Sequence, residues 1–225
     1  MFEIGKYITL KILRDTDPGL YLGKDTKSEE VVLLPNKYKP KTFKIGDEIR
    51  VFIYLDYEDR PIATILKPFL NLNEFGYLRC VDVTNHGAYM EWGLEKNLFV
   101  PFHEQARPMK VDNWYIIYLY LDEQTNRLAG SSKTNQFLQN DDLTIKVYDE
   151  IDILITHLTD AGANVIINGL HKGLIYLEDI FEDIRTGDFL KAFVKNIRED
   201  NKIDVVIQKP GYKSIEPNAQ SLLDE

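Results

Sequence analysis

Apolar and polar positions alternate in short runs along most of this chain. The runs are dense in β-branched and aromatic residues, as in Ile49-Arg50-Val51-Phe52-Ile53-Tyr54-Leu55 and Trp114-Tyr115-Ile116-Ile117-Tyr118-Leu119-Tyr120. Such residues suit a pleated, partly buried surface, so the pattern predicts strands. In the middle of the chain it predicts five of them, at about Gly76–Thr84, Gly87–Trp92, Leu98–Pro101, Trp114–Asp122 and Arg127–Ser131. Between the third and fourth, Pro101–Val111 leaves room for a short helix or an irregular loop.

The turns between strands repeat. Asp17-Pro18-Gly19-Leu20-Tyr21-Leu22, Asn85-His86-Gly87-Ala88-Tyr89-Met90 and Asp160-Ala161-Gly162-Ala163-Asn164-Val165 are three versions of one motif. A second marker follows each, at Lys44-Ile45-Gly46-Asp47, Lys110-Val111-Asp112-Asn113 and Arg185-Thr186-Gly187-Asp188. Two markers recurring at matching offsets define three tandem units of roughly 70 residues. Five short strands in that length fit a small closed barrel of the OB type, and glycine near the start of strand two suits a bulge or tight bend at a barrel corner. The expected fold is therefore all-β, with three five-stranded OB barrels at 1–68, 69–139 and 140–210. Residues 211–225 form a tail that reads as the start of a linker, with a helix start at Pro217–Leu223.

Composition narrows the class. A hydrophobic content of 44% is ordinary for a globular protein and too high for a disordered chain. One cysteine, Cys80, cannot form an internal disulfide or a thiolate zinc site, which points to a reducing compartment. The N-terminus lacks the basic and apolar regions of a signal peptide, and no apolar run approaches a membrane span. A soluble, cytoplasmic protein with no membrane association is expected.

An OB barrel holds single strands by offering aromatic faces to bases and a few cations to the backbone. Unit two carries such a set. His86 and Tyr89 flank the turn glycine, and a bulge there would bring both side chains to one face. Arg127 opens strand five, and Asp122 is placed to orient it or to accept from a base or a 2′-hydroxyl. Unit one offers Tyr21, with Pro18 and Pro61 in the places of His86 and Arg127 and Arg60 adjacent. Unit three offers Tyr176 on strand three and Lys202 in the place of Arg127, with Ala161 and Asn164 where the aromatics would be.

Enzymatic patterns are missing. Gly19-Leu20-Tyr21-Leu22-Gly23-Lys24-Asp25 is one residue short between its glycines for a phosphate loop and lacks the final Ser/Thr. The four histidines, His86, His103, His157 and His171, have no metal-ligand spacing, and no serine elbow occurs. No enzyme, metal or cofactor is expected.

Unit two, from Gly76-Tyr77-Leu78 through Asn85–Met90 to Arg127-Leu128-Ala129-Gly130-Ser131-Ser132-Lys133, resembles the S1-like RNA-binding domain. The resemblance implies that the domain's paired strand-two aromatics fall on His86 and Tyr89. Its loop Asp and strand-five Arg fall on Asp122 and Arg127, and its strand-three histidine position on Val100. The whole chain is similar to the conserved virulence factor B family. Stretches such as Leu34-Pro35-Asn36-Lys37-Tyr38, Asp59–Thr64, Glu91-Trp92-Gly93-Leu94, Leu98–Phe102 and Ile197–Asp204 carry that similarity across all three units. It implies tandem S1-like domains followed by a winged helix beginning near Glu225, and RNA binding in bacterial post-transcriptional regulation.

Charge first looks contrary to this. With 27 basic and 36 acidic residues the net charge is −9, whereas attraction to phosphate needs cations. The deficit is uneven. Residues 1–68 hold twelve basic and eleven acidic residues, 69–139 six and eight, and 140–210 eight and fourteen. Single-stranded RNA is thus the expected partner of the first two units, bound weakly through stacking and a few local cations. The alternative is a protein-interaction scaffold, in which degenerate barrels dock onto a larger nucleic-acid machine such as the transcription or translation machinery; acidic unit three, poor in stacking residues, favours it.

Overall fold

In a computed structural model, which describes residues 2–208, the chain is all-β, with fifteen strands in three successive groups of five. The first group is β1 (Lys6–Thr16), β2 (Gly19–Gly23), β3 (Val32–Pro35), β4 (Glu48–Leu55) and β5 (Pro61–Thr64). The second is β6 (Phe75–Val83), β7 (Gly87–Glu91), β8 (Leu98–Pro101), β9 (Trp114–Asp122) and β10 (Arg127–Ser131). The third is β11 (Glu150–Thr159), β12 (Gly162–Ile167), β13 (His171–Tyr176), β14 (Phe189–Ile197) and β15 (Ile203–Val206). The strands of the middle group match those read from the pattern to within a residue or so. Pro101–Val111 holds a single 3-10 turn at Phe102–Glu104. The tail at 211–225 lies outside the described residues.

All three groups have one topology. The first strand pairs antiparallel with the second and fourth, the second with the third, and the fourth with the fifth. In the first and third groups a short parallel pairing of strands three and five closes the barrel, at Leu33↔Ile62 and at Gly173↔Ile203. The middle group is an open ladder, β10-β9-β6-β7-β8. Side chains close its seam instead: the Cα of Gly130 on β10 sits so close to Val100 and Leu98 of β8 that an added Cβ would lie 2.9 Å and 3.2 Å from their methyls.

The repeated turn glycines mark close backbone approaches. Gly19, Gly87 and Gly162 have φ of +149°, +159° and +137°, and a Cβ on them would meet the carbonyl oxygens of Leu34, Val100 and Ile175 at 2.1, 2.4 and 2.0 Å. No side chain fits there. The bulge expected at these glycines lies instead on the opposite strand, where register slips between Ile12 and Arg14, Cys80 and Asp82, and Ile155 and His157. Local repetition runs deeper than the sequence markers. Thr16, Thr84 and Thr159 each donate a hydroxyl hydrogen bond to the carbonyl of the turn glycine three residues on.

The chain divides into two compact units after Thr134. In the first, β4 explains why its apolar run is unbroken, since both of its faces are buried. Val51 and Ile53 fill the core of barrel one, whereas Phe52 and Tyr54 join that of barrel two. Phe52 packs edge-on against Trp92, with ring centroids 6.1 Å apart. Burying a side chain of that size is worth roughly 2–3 kcal/mol, so barrels one and two are fused through a common core. The second unit carries the third barrel, with its own core around Ile153, Ile155, Val165, Ile175 and Val194.

Candidate nucleic-acid interface

Tyr89 stands at the centre of β7, half-buried between two inward neighbours, Ala88 and Met90. Its cross-strand partner on β8 is Phe99, and the two rings stack in a tilted pair with centroids 5.2 Å apart. Its partner on β6 is Asp82, and both residues border one cleft. Tyr89, Phe99, His86, His103, Arg127 and Lys96 line one cleft of about 720 Å³. The predicted pair His86 and Tyr89 thus does share one surface. His86 is exposed in the turn before β7.

Phe99 is absent from the sequence-based set, in which the S1 resemblance points to Val100. Val100 is fully buried and points into the barrel. Simple alternation held the answer: with Leu98 and Val100 inside, Phe99 faces out.

Arg127 also reaches the cleft, but its partner is unexpected. The guanidinium is ion-paired with Asp59 from the β4–β5 turn of barrel one. Asp59 stands 3.5 Å from the Lys96 ammonium as well. Asp122 does not orient Arg127. Its carboxylate accepts from the Thr125 hydroxyl at 2.7 Å and the Gln124 N–H at 3.0 Å, holding its own turn closed. The Thr125 hydrogen bond, foremost, keeps the Asp122 carboxyl below the ordinary aspartate range.

The other predicted residues are already engaged. In barrel one the Arg14 guanidinium lies 4.3 Å from the centroid of the Tyr21 ring and covers it. Arg60 is forked onto Asp56, at 3.0 and 2.8 Å, and also meets Glu58 at 2.8 Å. Its register differs from the sequence alignment. Asp59, Asn126 and Asn201 all take left-handed φ, of 60°, 55° and 59°, and the next residue is Arg60, Arg127 and Lys202. Arg60 is therefore the counterpart of Arg127, and Pro61 that of Leu128. In barrel three, Arg198 hydrogen-bonds the Tyr176 hydroxyl and pairs with Asp204 at 3.0 Å. Lys202 pairs with Asp200 at 2.7 Å. Asn164, the counterpart of Tyr89, lies 3.2 Å from the His157 ring.

These positions are equivalent in fold and unequal in chemistry. The residue across from Tyr21, Tyr89 and Asn164 on the first strand is Arg14, Asp82 and His157 in turn. In barrel two that neighbour is a carboxylate and the aromatic borders a cleft, whereas in barrel one a guanidinium lies over the ring.

Residues 4–66 match the family model of the S1 domain. They span the first barrel; the third barrel repeats its strand pairing, and the second repeats the antiparallel pairings without the closing parallel one. Protein YitL of Bacillus subtilis, an uncharacterized protein, is 26% identical over 238 residues, which cover 97% of this chain and 75% of that protein. A solved structure of a multidomain protein with nucleic acid binding domains from Streptococcus pneumoniae superposes with a TM-score of 0.50 at 19% identity. It covers 97% of this chain and 78% of its own, and supports the tandem all-β architecture. Among the described residues no helix is long and apolar enough to cross a membrane, and no group of three or more His, Cys, Asp or Glu is placed to hold a metal ion.

Proposed function

We propose that this chain is a non-catalytic binder of single-stranded RNA, with its principal contact in the barrel-two cleft. The observation that carries this is the Tyr89–Phe99 pair, which lines a cleft together with His86 and Arg127. Each base stacked on such a surface contributes roughly 1–3 kcal/mol without regard to sequence. The S1 match in barrel one supports a nucleic-acid partner, as does the shared fold of the pneumococcal protein with its nucleic acid binding domains. The likeness to the conserved virulence factor B family supports a cytoplasmic role in bacterial post-transcriptional regulation. Residues 1–68, 69–139 and 140–210 serve as three S1-like domains in this reading.

Titration of oligo-pyrimidine RNA at about 50 mM salt tests the proposal, because phosphate contacts are strongest there. Tyr89→Ala and Arg127→Ala each weaken binding by about 1 kcal/mol or more. Equal affinity in both variants places the site elsewhere.

A second reading, a docking scaffold for a larger nucleic-acid machine, is favoured by barrel three. There Leu177, Phe181 and Phe189 are largely exposed among acidic residues. Wild-type protein that binds no RNA at low salt supports that reading instead.

A further inference from the structure

A second patch on barrel two has the same chemistry and shares no residue with the cleft. Along the β6–β9 pair, Leu78, Cys80, Tyr115 and Ile117 point inward, so Tyr77 and Trp114 stand outward on adjacent strands. Their rings form a tilted pair with centroids 5.3 Å apart and planes 34° apart. Trp114 is 48% exposed despite its size.

Arg107 and Lys110, from the segment between β8 and β9, line a cavity of about 420 Å³ with these rings. Arg107 stands 5.7 Å from the Tyr115 ring centroid. Among the described residues, neither Arg107 nor Lys110 has a carboxylate within ion-pair distance. The one acid lining the cavity, Asp112, is held by Arg79 at 3.2 Å, and Arg79 also binds Glu91 at 2.9 Å. In a chain of net charge −9, two uncompensated cations beside an exposed aromatic pair make a local site for an anion that carries flat rings.

We infer that Tyr77, Trp114, Arg107 and Lys110 form a second single-strand contact, stacking a base on Trp114 and holding its phosphates with the two cations. This rests on the RNA-binding reading above, but on different strands of the barrel. A strand held in the cleft and on this patch gains from both contacts by effective concentration, with neither being strong alone.

The test is binding of an oligo-pyrimidine RNA of about 16 nucleotides, the upper end of what one OB barrel covers. It is measured for wild type, Trp114→Ala, the Arg107→Glu/Lys110→Glu double variant, Tyr89→Ala, and Tyr89→Ala combined with Trp114→Ala. All of these side chains are at least partly exposed, and thermal melting confirms that the variants fold. The expected result is a loss of about fivefold or more for each of the patch variants and for Tyr89→Ala, with the combined variant weaker than either parent. Quenching of Trp114 emission by RNA, lost in Trp114→Phe, reports contact directly. If Tyr89→Ala weakens binding while the patch variants match wild type and Trp114 is not quenched, the second contact is overturned and the cleft stands. If the patch variants alone weaken binding, the patch stands and the cleft falls. Wild-type protein that binds no RNA overturns both.

Discussion

Asp59 of barrel one holds the guanidinium of Arg127 in barrel two, so the cation that opens strand five of the candidate interface is covered by a carboxylate 68 positions away in sequence. RNA phosphate and Asp59 compete for the same donors. Asp59→Asn is expected to raise RNA affinity several-fold and to steepen the salt dependence by about 0.7 in log–log slope, one added phosphate contact on a single strand. Asparagine suits the left-handed backbone here, since Asn126 and Asn201 already occupy the equivalent turns. An exposed pair contributes only about 0–1 kcal/mol, so the folded state survives its loss. Binding isotherms between about 50 and 200 mM salt measure both effects. An unchanged slope removes Arg127 from the contact.

The two equivalent tyrosines separate stacking from position. Tyr89 lines a cleft and faces a carboxylate, Asp82, across the strand pair, whereas Tyr21 lies under Arg14. Tyr89→Ala therefore costs RNA affinity about 1–3 kcal/mol and Tyr21→Ala markedly less. Arg14→Ala uncovers Tyr21 and reduces that difference. Isothermal titration of the three variants checks the order, and equal losses at Tyr21 and Tyr89 contradict it.

What the sequence revealed, and what it hid, follows from range. The turn glycines at 19, 87 and 162 were legible because the same cross-strand carbonyl excludes a Cβ in every unit, which leaves glycine at a repeating spacing. The strands of barrel two were legible because each side of a pleat has its own solvent. The same alternation turns Phe99 outward between buried Leu98 and Val100. The counterpart of Arg127 was misplaced by one residue because the turn of barrel two, Asp122–Arg127, is a residue longer than Asp56–Arg60. Neither the Asp59–Arg127 pair nor the Arg14 cover on Tyr21 has a signal in sequence. The first joins two barrels, and the second depends on a register slip in β1.

Barrel three depends on a buried histidine. His171 is fully buried, with Nδ1 2.7 Å from the Gln139 carbonyl and Nε2 3.3 Å from the Thr144 backbone nitrogen. A backbone N–H only donates, so Nε2 accepts and Nδ1–H donates to Gln139. The ring thereby ties the segment before β11 to β13. His171→Leu leaves both backbone groups unpaired and lowers stability by about 2–4 kcal/mol, as thermal or urea unfolding of the third barrel will show. A loss below about 0.5 kcal/mol refutes the tie, since that is the range of neutral surface changes. RNA binding by the first unit is unaffected.

The turn glycines and the second-marker glycine should respond differently to alanine, although all have positive φ. At Gly46, φ is +96° and an added Cβ meets nothing within 4 Å. Only backbone strain remains there, so Gly46→Ala costs about 1–2 kcal/mol. At Gly19 a Cβ lies 2.1 Å from the Leu34 carbonyl oxygen, and at Gly162 it lies 2.0 Å from that of Ile175. Backbone atoms of a paired strand cannot yield as a flexible side chain does. Strand two must then separate from strand three, breaking hydrogen bonds that run from Gly19↔Pro35 and from Gly162↔Tyr176. Gly19→Ala and Gly162→Ala are expected to cost more than about 4 kcal/mol, the range reserved for substitutions that break a packed element. Gly19→Ala falls in the fused first unit and Gly162→Ala in the second, so hydrogen exchange will show loss of protection in separate units. Equal destabilisation by Gly46→Ala and Gly19→Ala would mean that backbone conformation alone, and not the close strand contact, fixes glycine at the repeated turns.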